Sequence, residues 1–175
     1  RGTSTLLLGP AGSGKSSIAL SYAVEAARRG QAVSIFLFEE WTQLACKRGA
    51  SLNIDPRPYL DSGLITMEQI DPAELSPGQF IQHVRNAVEL RDAKVVIIDS
   101  LNGFINAMPG EYHLPLQMHE LLAFLNQRNV VTILVLGQAG LMGTTMSSPV
   151  DLSYLADNVM LFRYFEADGR VRKAL

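Results

Sequence analysis

The segment Thr5-Leu6-Leu7-Leu8-Gly9-Pro10-Ala11-Gly12-Ser13-Gly14-Lys15-Ser16 runs from an apolar strand pattern, through a glycine-rich turn, into a helical pattern. From Gly9 onward it matches G-x-x-x-x-G-K-[ST], a phosphate-binding loop. Glycines 9, 12 and 14 let the backbone approach phosphate oxygens closely. The N–H groups of such a turn form an anion nest at a helix N-terminus. In this setting Lys15 reaches the β- and γ-phosphates and the Ser16 hydroxyl ligates Mg²⁺. The expected nucleotide-binding set is Gly9, Pro10, Ala11, Gly12, Ser13, Gly14, Lys15, Ser16 and Ser17. A glycine-rich turn that merely contains a lysine is the plainer alternative, and the strand before and helix after it favour the phosphate loop.

Strand and helix patterns alternate on either side of this loop. Residues 15–29 carry Ile18, Tyr22, Ala23 and Ala26 at helical spacing, and Gly30 is a fitting stop. Residues 32–38 form a continuous apolar run, as a strand buried on both faces requires. A helical pattern follows over 41–49, with Leu44 and Cys46 among its apolar members, and Pro56 and Pro58 break the chain before a strand at 64–70. Ser76-Pro77-Gly78-Gln79 has the form of a capping box with proline at the first helical position. A strand at 94–99, a loop at 100–110, a helix at 115–128 and a strand at 130–137 come next. Residues 139–150, rich in Gly, Thr, Ser and Met, read as a loop. Two extended stretches, 158–165 and 171–175, flank Ala167-Asp168-Gly169, a hairpin turn. The order predicts an α/β fold: a mostly parallel sheet, helices on both faces and a C-terminal antiparallel hairpin.

Ligands of such sheets sit at the carboxyl ends of the strands. Polar groups follow four apolar strands at that end: the loop itself, Glu39-Glu40, Asp99 and Gln138. Asp99 closes Val95-Val96-Ile97-Ile98, the form of a Walker B strand, and suits a Mg²⁺ ligand beside Ser16. Glu39 and Glu40, with no basic residue adjoining, suit the orientation of an attacking water or hydroxyl. Only one of the two need point at the nucleotide. Gln138 is a candidate γ-phosphate sensor, with a simple strand-end amide as the alternative. His83, His113 and His119 have no metal-ligand spacing.

The chain has 175 residues, enough for one domain with a sizeable core. A net charge of −2 gives no electrostatic case for nucleic-acid or anionic-membrane partners. One cysteine, Cys46, excludes an internal disulfide and fits a reducing, cytoplasmic setting. No apolar run reaches the length of a membrane span. The chain opens at Arg1-Gly2 without Met and stops at Leu175, as a domain taken from a longer protein would.

These motifs resemble the KaiC branch of the RecA-like ATPases. The resemblance rests on the phosphate loop, Phe38-Glu39-Glu40 and Val96-Ile97-Ile98-Asp99-Ser100-Leu101-Asn102. It extends to Tyr154-Leu155-Ala156-Asp157-Asn158 and on into Leu161-Phe162-Arg163-Tyr164-Phe165-Glu166. It implies a RecA-like P-loop domain that binds ATP with Mg²⁺ between neighbouring subunits of a hexameric ring. It assigns catalytic roles to Glu39, Glu40 and Lys15 and a metal role to Asp99. It points to signalling or circadian-type timing, with Ser/Thr autokinase activity beside ATP hydrolysis and Ser153 as the candidate phosphosite. Tyrosine, at Tyr154, stands where the family's phosphorylated domain has threonine. Thr144, Thr145, Ser147 and Ser148 lie in the same hydroxyl-rich region. The family's trans-acting Lys-x-Arg segment would fall past Leu175, and its full-length members carry two such domains.

Two further functions compete. A RecA-type DNA-binding ATPase needs basic loops, whereas residues 100–115 and 137–151 contain no Lys or Arg. A nucleotide-gated scaffold needs ATP binding and little turnover.

Overall fold

Side chains of successive residues along a strand point to opposite faces, so a wholly apolar strand needs a helical layer on each side. The structure, a computed structural model, describes residues 2–71, 73–106, 114–138 and 156–175. The first half holds β1 (Thr3–Gly9), α1 (Lys15–Arg28), β2 (Val33–Leu37), α2 (Thr42–Ser51), α3 (Arg57–Asp61), β3 (Ile65–Gln69) and α4 (Pro77–Arg91). Then follow β4 (Val95–Asp99), α5 (Leu101–Asn106), α6 (Leu114–Gln127), β5 (Val131–Gly137), β6 (Asn158–Leu161) and the hairpin β7 (Arg163–Ala167) and β8 (Arg170–Ala174). Six strands form one sheet in the order β3-β2-β4-β5-β1-β6, and every pairing within it is parallel. The hairpin is a separate antiparallel pair.

The two cores divide as the pleat dictates. Leu6, Phe36, Val96, Ile98 and Leu134 face α4, α5 and α6. Leu7, Ile35, Leu37, Val95, Ile97 and Ile133 face α1 and its neighbours, where Ala19, Ala23, Ala26 and Ala27 let that helix lie close to the sheet. Under β2 and β4 the rings of Phe36, Phe38, Phe80 and Phe104 meet, mostly edge to face, with centroids 5.0–5.7 Å apart. This cluster backs the segment that leads into Glu39. Ser76 and Gln79 form the expected capping box at the start of α4.

The structure differs from the sequence reading in four places. Residues 57–61 are a short helix, since the prolines occupy its cap and first turn, where a missing N–H costs nothing. The expected loop after Asp99 begins with α5, because Leu101 and Phe104, three residues apart, both bury in the aromatic cluster. Residue 103 is a glycine at the same contact; a Cβ there would lie 2.7 Å from Phe38 Cβ. The stretch 158–165 is not one strand: Phe162 turns into the core and separates β6, parallel to β1, from the hairpin. Tyr22 and Leu44, expected in apolar stripes, are exposed.

Asp157 anchors the start of β6. Its Oδ2 accepts hydrogen bonds from Ser4 N at 2.8 Å and Ser4 Oγ at 2.9 Å, and its own N–H donates to Ser4 Oγ at 3.0 Å. Among the described residues, no helix is long and apolar enough to cross a membrane.

Phe80 is fully buried at the centre of the aromatic cluster. Phe80→Ala is expected to cost about 3–5 kcal/mol. Thermal unfolding should then show a fall in Tm of about 10 °C.

Candidate nucleotide site

The cleft at the carboxyl edge of the sheet begins with a helix that has no cap. Gly14, with φ 110°, is the N-cap residue of α1; it offers no side-chain acceptor, and the first turn contains no acidic residue. The N–H groups there are left for an external anion. Gly9 is required by close approach: a Cβ would lie 2.5 Å from Phe162 O. In the same turn Ser13 Oγ is buried and, among the described residues, has no hydrogen-bond partner.

Lys15 is buried, and its Nζ donates to Gly9 O and Pro10 O, each at 2.8 Å. Burial pushes its ammonium below the ordinary lysine range, while the carboxylates of Asp99 and Glu39 pull it back up. Asp99 stands at the end of β4, hydrogen-bonded to Ser16. Burial pushes its carboxyl above the usual range, opposed by that hydrogen bond and by Arg48.

The cleft has a volume of about 430 Å³ and is lined by Gly12, Gly14, Lys15, Ser16, Ser17, Glu39, Glu40, Leu44, Arg48 and Asp99. Three regions of the chain far apart in sequence thus meet. A groove of similar volume, about 450 Å³, lies between β3 and α4, but it holds none of these groups. Gln138 follows β5, the strand between β1 and β4, and its N–H donates to Gly9 O at 2.9 Å. Its Oε1 is buried and, among the described residues, has no hydrogen-bond partner. Asn102 clamps the preceding residue, donating to Gly137 O at 3.0 Å and accepting from Gly137 N at 2.5 Å. The hairpin leans on the loop from outside: Tyr164 OH donates to Ala11 O at 3.3 Å and Lys173 Nζ to Gly12 O at 2.7 Å.

The glutamate pair is not free of basic neighbours, as the local sequence suggested. Arg48 donates from Nη2 to Glu40 Oε2 at 2.5 Å and from Nε to Glu40 Oε1 at 3.2 Å. Its Nη1 also reaches Ser17 Oγ at 3.1 Å. The available signal was spacing: Arg48 lies seven residues past Trp41, the N-cap of α2, and so returns to the face on which that helix starts. Ser153 and the hydroxyls of residues 144–148 lie outside the described residues.

Among the described residues no three His, Cys, Asp or Glu side chains cluster as a metal cage. Ser16 and Asp99 provide two hard oxygen donors beside the anion seat. That set fits Mg²⁺, which is commonly held by one or two protein oxygens together with substrate phosphates.

A glycine-rich phosphate loop opening a helix at the carboxyl edge of a parallel sheet, covered on both faces, defines a RecA-like P-loop nucleotide-binding domain. The profile described as "ATPase: KaiC" matches residues 1–175, and the chain belongs to that family. ATP binding follows at the level of the family. "Circadian clock protein KaiC2" of a Synechocystis strain is 28% identical over 107 residues, covering 61% of this chain and 19% of that protein. "Circadian clock protein KaiC3" of the same strain is 24% identical over 183 residues, covering 99% of this chain and 36% of that protein. The chain therefore spans well under half the length of these relatives.

The raised Asp99 carboxyl has a consequence for stability. A folded-state value above the unfolded one gives stabilisation that is full below the ordinary carboxyl range. It is lost as pH rises through the folded value, so ionised Asp99 costs stability at neutral pH. Asp99→Asn should raise the Tm of the nucleotide-free protein at pH 8 by about 2–4 °C per kcal/mol recovered. The gain should shrink toward pH 4, and Mg²⁺-dependent stabilisation by ATP should vanish; differential scanning fluorimetry across pH reads both.

Proposed function

We propose that this chain is the catalytic domain of an ATP-hydrolysing KaiC-type protein, acting as one unit of a longer chain in a homo-oligomeric, hexameric ring. The observation that carries this reading is the meeting of Lys15, Ser16, Asp99 and the Glu39–Glu40 pair in one cleft at the uncapped start of α1. Residues 9–17 cradle the triphosphate through backbone N–H groups and Lys15. Ser16 and Asp99 hold Mg²⁺, which when bound neutralises charge on the phosphates. A carboxylate of the glutamate pair orients the attacking water and accepts its proton. Gln138, with its buried unpartnered oxygen next to the loop, reports the γ-phosphate to the segment that follows β5.

The names of the two relatives support a role in timing; signalling partners and a cytoplasmic setting belong to the same proposal. Autophosphorylation at Ser153 is the second reading. It rests on the resemblance of Ser153 and its neighbours to the family's phosphorylated segment. Nucleic acid is disfavoured, since the loops expected to face it carry no Lys or Arg.

Incubation with Mg²⁺ and γ-labelled ATP, following label in free phosphate and on protein together, tests these readings. Steady phosphate release is expected. Lys15→Ala should weaken ATP binding about 10–100-fold, as loss of charge-assisted hydrogen bonds predicts. Label on protein that disappears in Ser153→Ala would establish the autokinase. ATP binding with neither signal would overturn hydrolysis in favour of a nucleotide-gated scaffold.

A further inference from the structure

The two adjacent glutamates stand in different surroundings. Glu40 is forked by Arg48 through two hydrogen bonds, and the pair is about three-quarters buried. Glu39 lines the same cleft and, among the described residues, has no ion-pair partner. Its carboxylate is close enough to Lys15 to act on that ammonium. Arg48 also hydrogen-bonds Ser17, so one guanidinium ties the start of α2 to the first turn of α1, where the phosphate loop ends.

We propose that Arg48 is a positioning residue that withdraws Glu40 from proton transfer and leaves Glu39 as the carboxylate that activates the attacking nucleophile. This rests on the ATPase reading above. The physical reason is the geometry of the fork. A carboxylate held by two guanidinium hydrogen bonds has one lone pair on each oxygen and its orientation committed, and its charge is matched. Its neighbour keeps both oxygens for a water. Without Arg48 two adjacent, unmatched carboxylates would compete for one nucleophile. Arg48 takes no part in binding nucleotide on this account. Three of its five N–H donors, one on each nitrogen, already have protein partners.

The test is steady-state ATP hydrolysis by the full chain. Glu39→Gln should lower kcat at least about 100-fold, the scale of a lost general base, and Glu40→Gln less than about 10-fold. Arg48→Met should lower kcat about 10-fold while KM for ATP moves less than about 2-fold, since an orienting contact, not a binding one, is lost. In the Arg48→Met/Glu40→Gln double variant the unmatched charge at position 40 is gone and Glu39 is again the one carboxylate of the pair. The double variant's kcat should rise to that of Glu40→Gln alone, a recovery that a purely structural arginine would not show. Equal losses from the two glutamate substitutions, a rise in KM for Arg48→Met, or additive losses in the double variant would each overturn the proposal. A wild type that releases no phosphate overturns the hydrolase reading instead. In that case a thermal-unfolding cycle on the same variants decides whether Arg48 holds Glu40: additive Tm losses mean it does not.

Discussion

A buried ammonium organises the working end of this molecule. Lys15 lies beneath its own loop, donating to the carbonyls of Gly9 and Pro10. Those hydrogen bonds fold the chain back at the end of β1 and hold the loop open at an uncapped helix start. The arrangement costs stability in the absence of ligand. Burial disfavours the charged forms of both Lys15 and Asp99; the carboxylates of Asp99 and Glu39 offset this only in part for Lys15, and Ser16 and Arg48 only in part for Asp99. The proposed anionic ligand with a divalent cation would relieve both penalties at once. Stability given up at a site is a familiar signature of function, and here it has named causes.

The parallel sheet converts this local feature into a site. Its strands run the same way, so their polar termini fall on one edge, and the register sets their relative heights. Leu37 lies level with Asp99, and Asp99 with Val135, so Gly137 and its partner Gly9 stand two residues further out. Asp99 thus sits on the floor of the cleft, and the loop and Gln138 stand further out along the sheet edge. The aromatic cluster beneath β2 and β4 keeps that floor rigid. Its members Phe38 and Phe104 lie immediately before Glu39 and inside α5, the helix that follows Asp99.

The C-terminal part of the described chain belongs to the same edge. Asp157 fastens β6 beside β1, Phe162 closes over Gly9, and the hairpin places Tyr164 and Lys173 against the loop carbonyls of Ala11 and Gly12.

Alternating apolar strands and helices made the α/β class, the parallel sheet and the phosphate loop legible from sequence, because pleat periodicity and loop chemistry are local properties. The strand-end placement of Glu39, Asp99 and Gln138 was legible for the same reason. The split at Phe162 and the helix after Asp99 were not. Both depend on one aromatic side chain finding a cavity built by distant strands, and no local pattern encodes that. Nor did the sequence distinguish Glu39 from Glu40. The two residues are chemically identical neighbours; only the packing of α2 against α1 brings Arg48 to one of them, and that contact exists only in the folded chain.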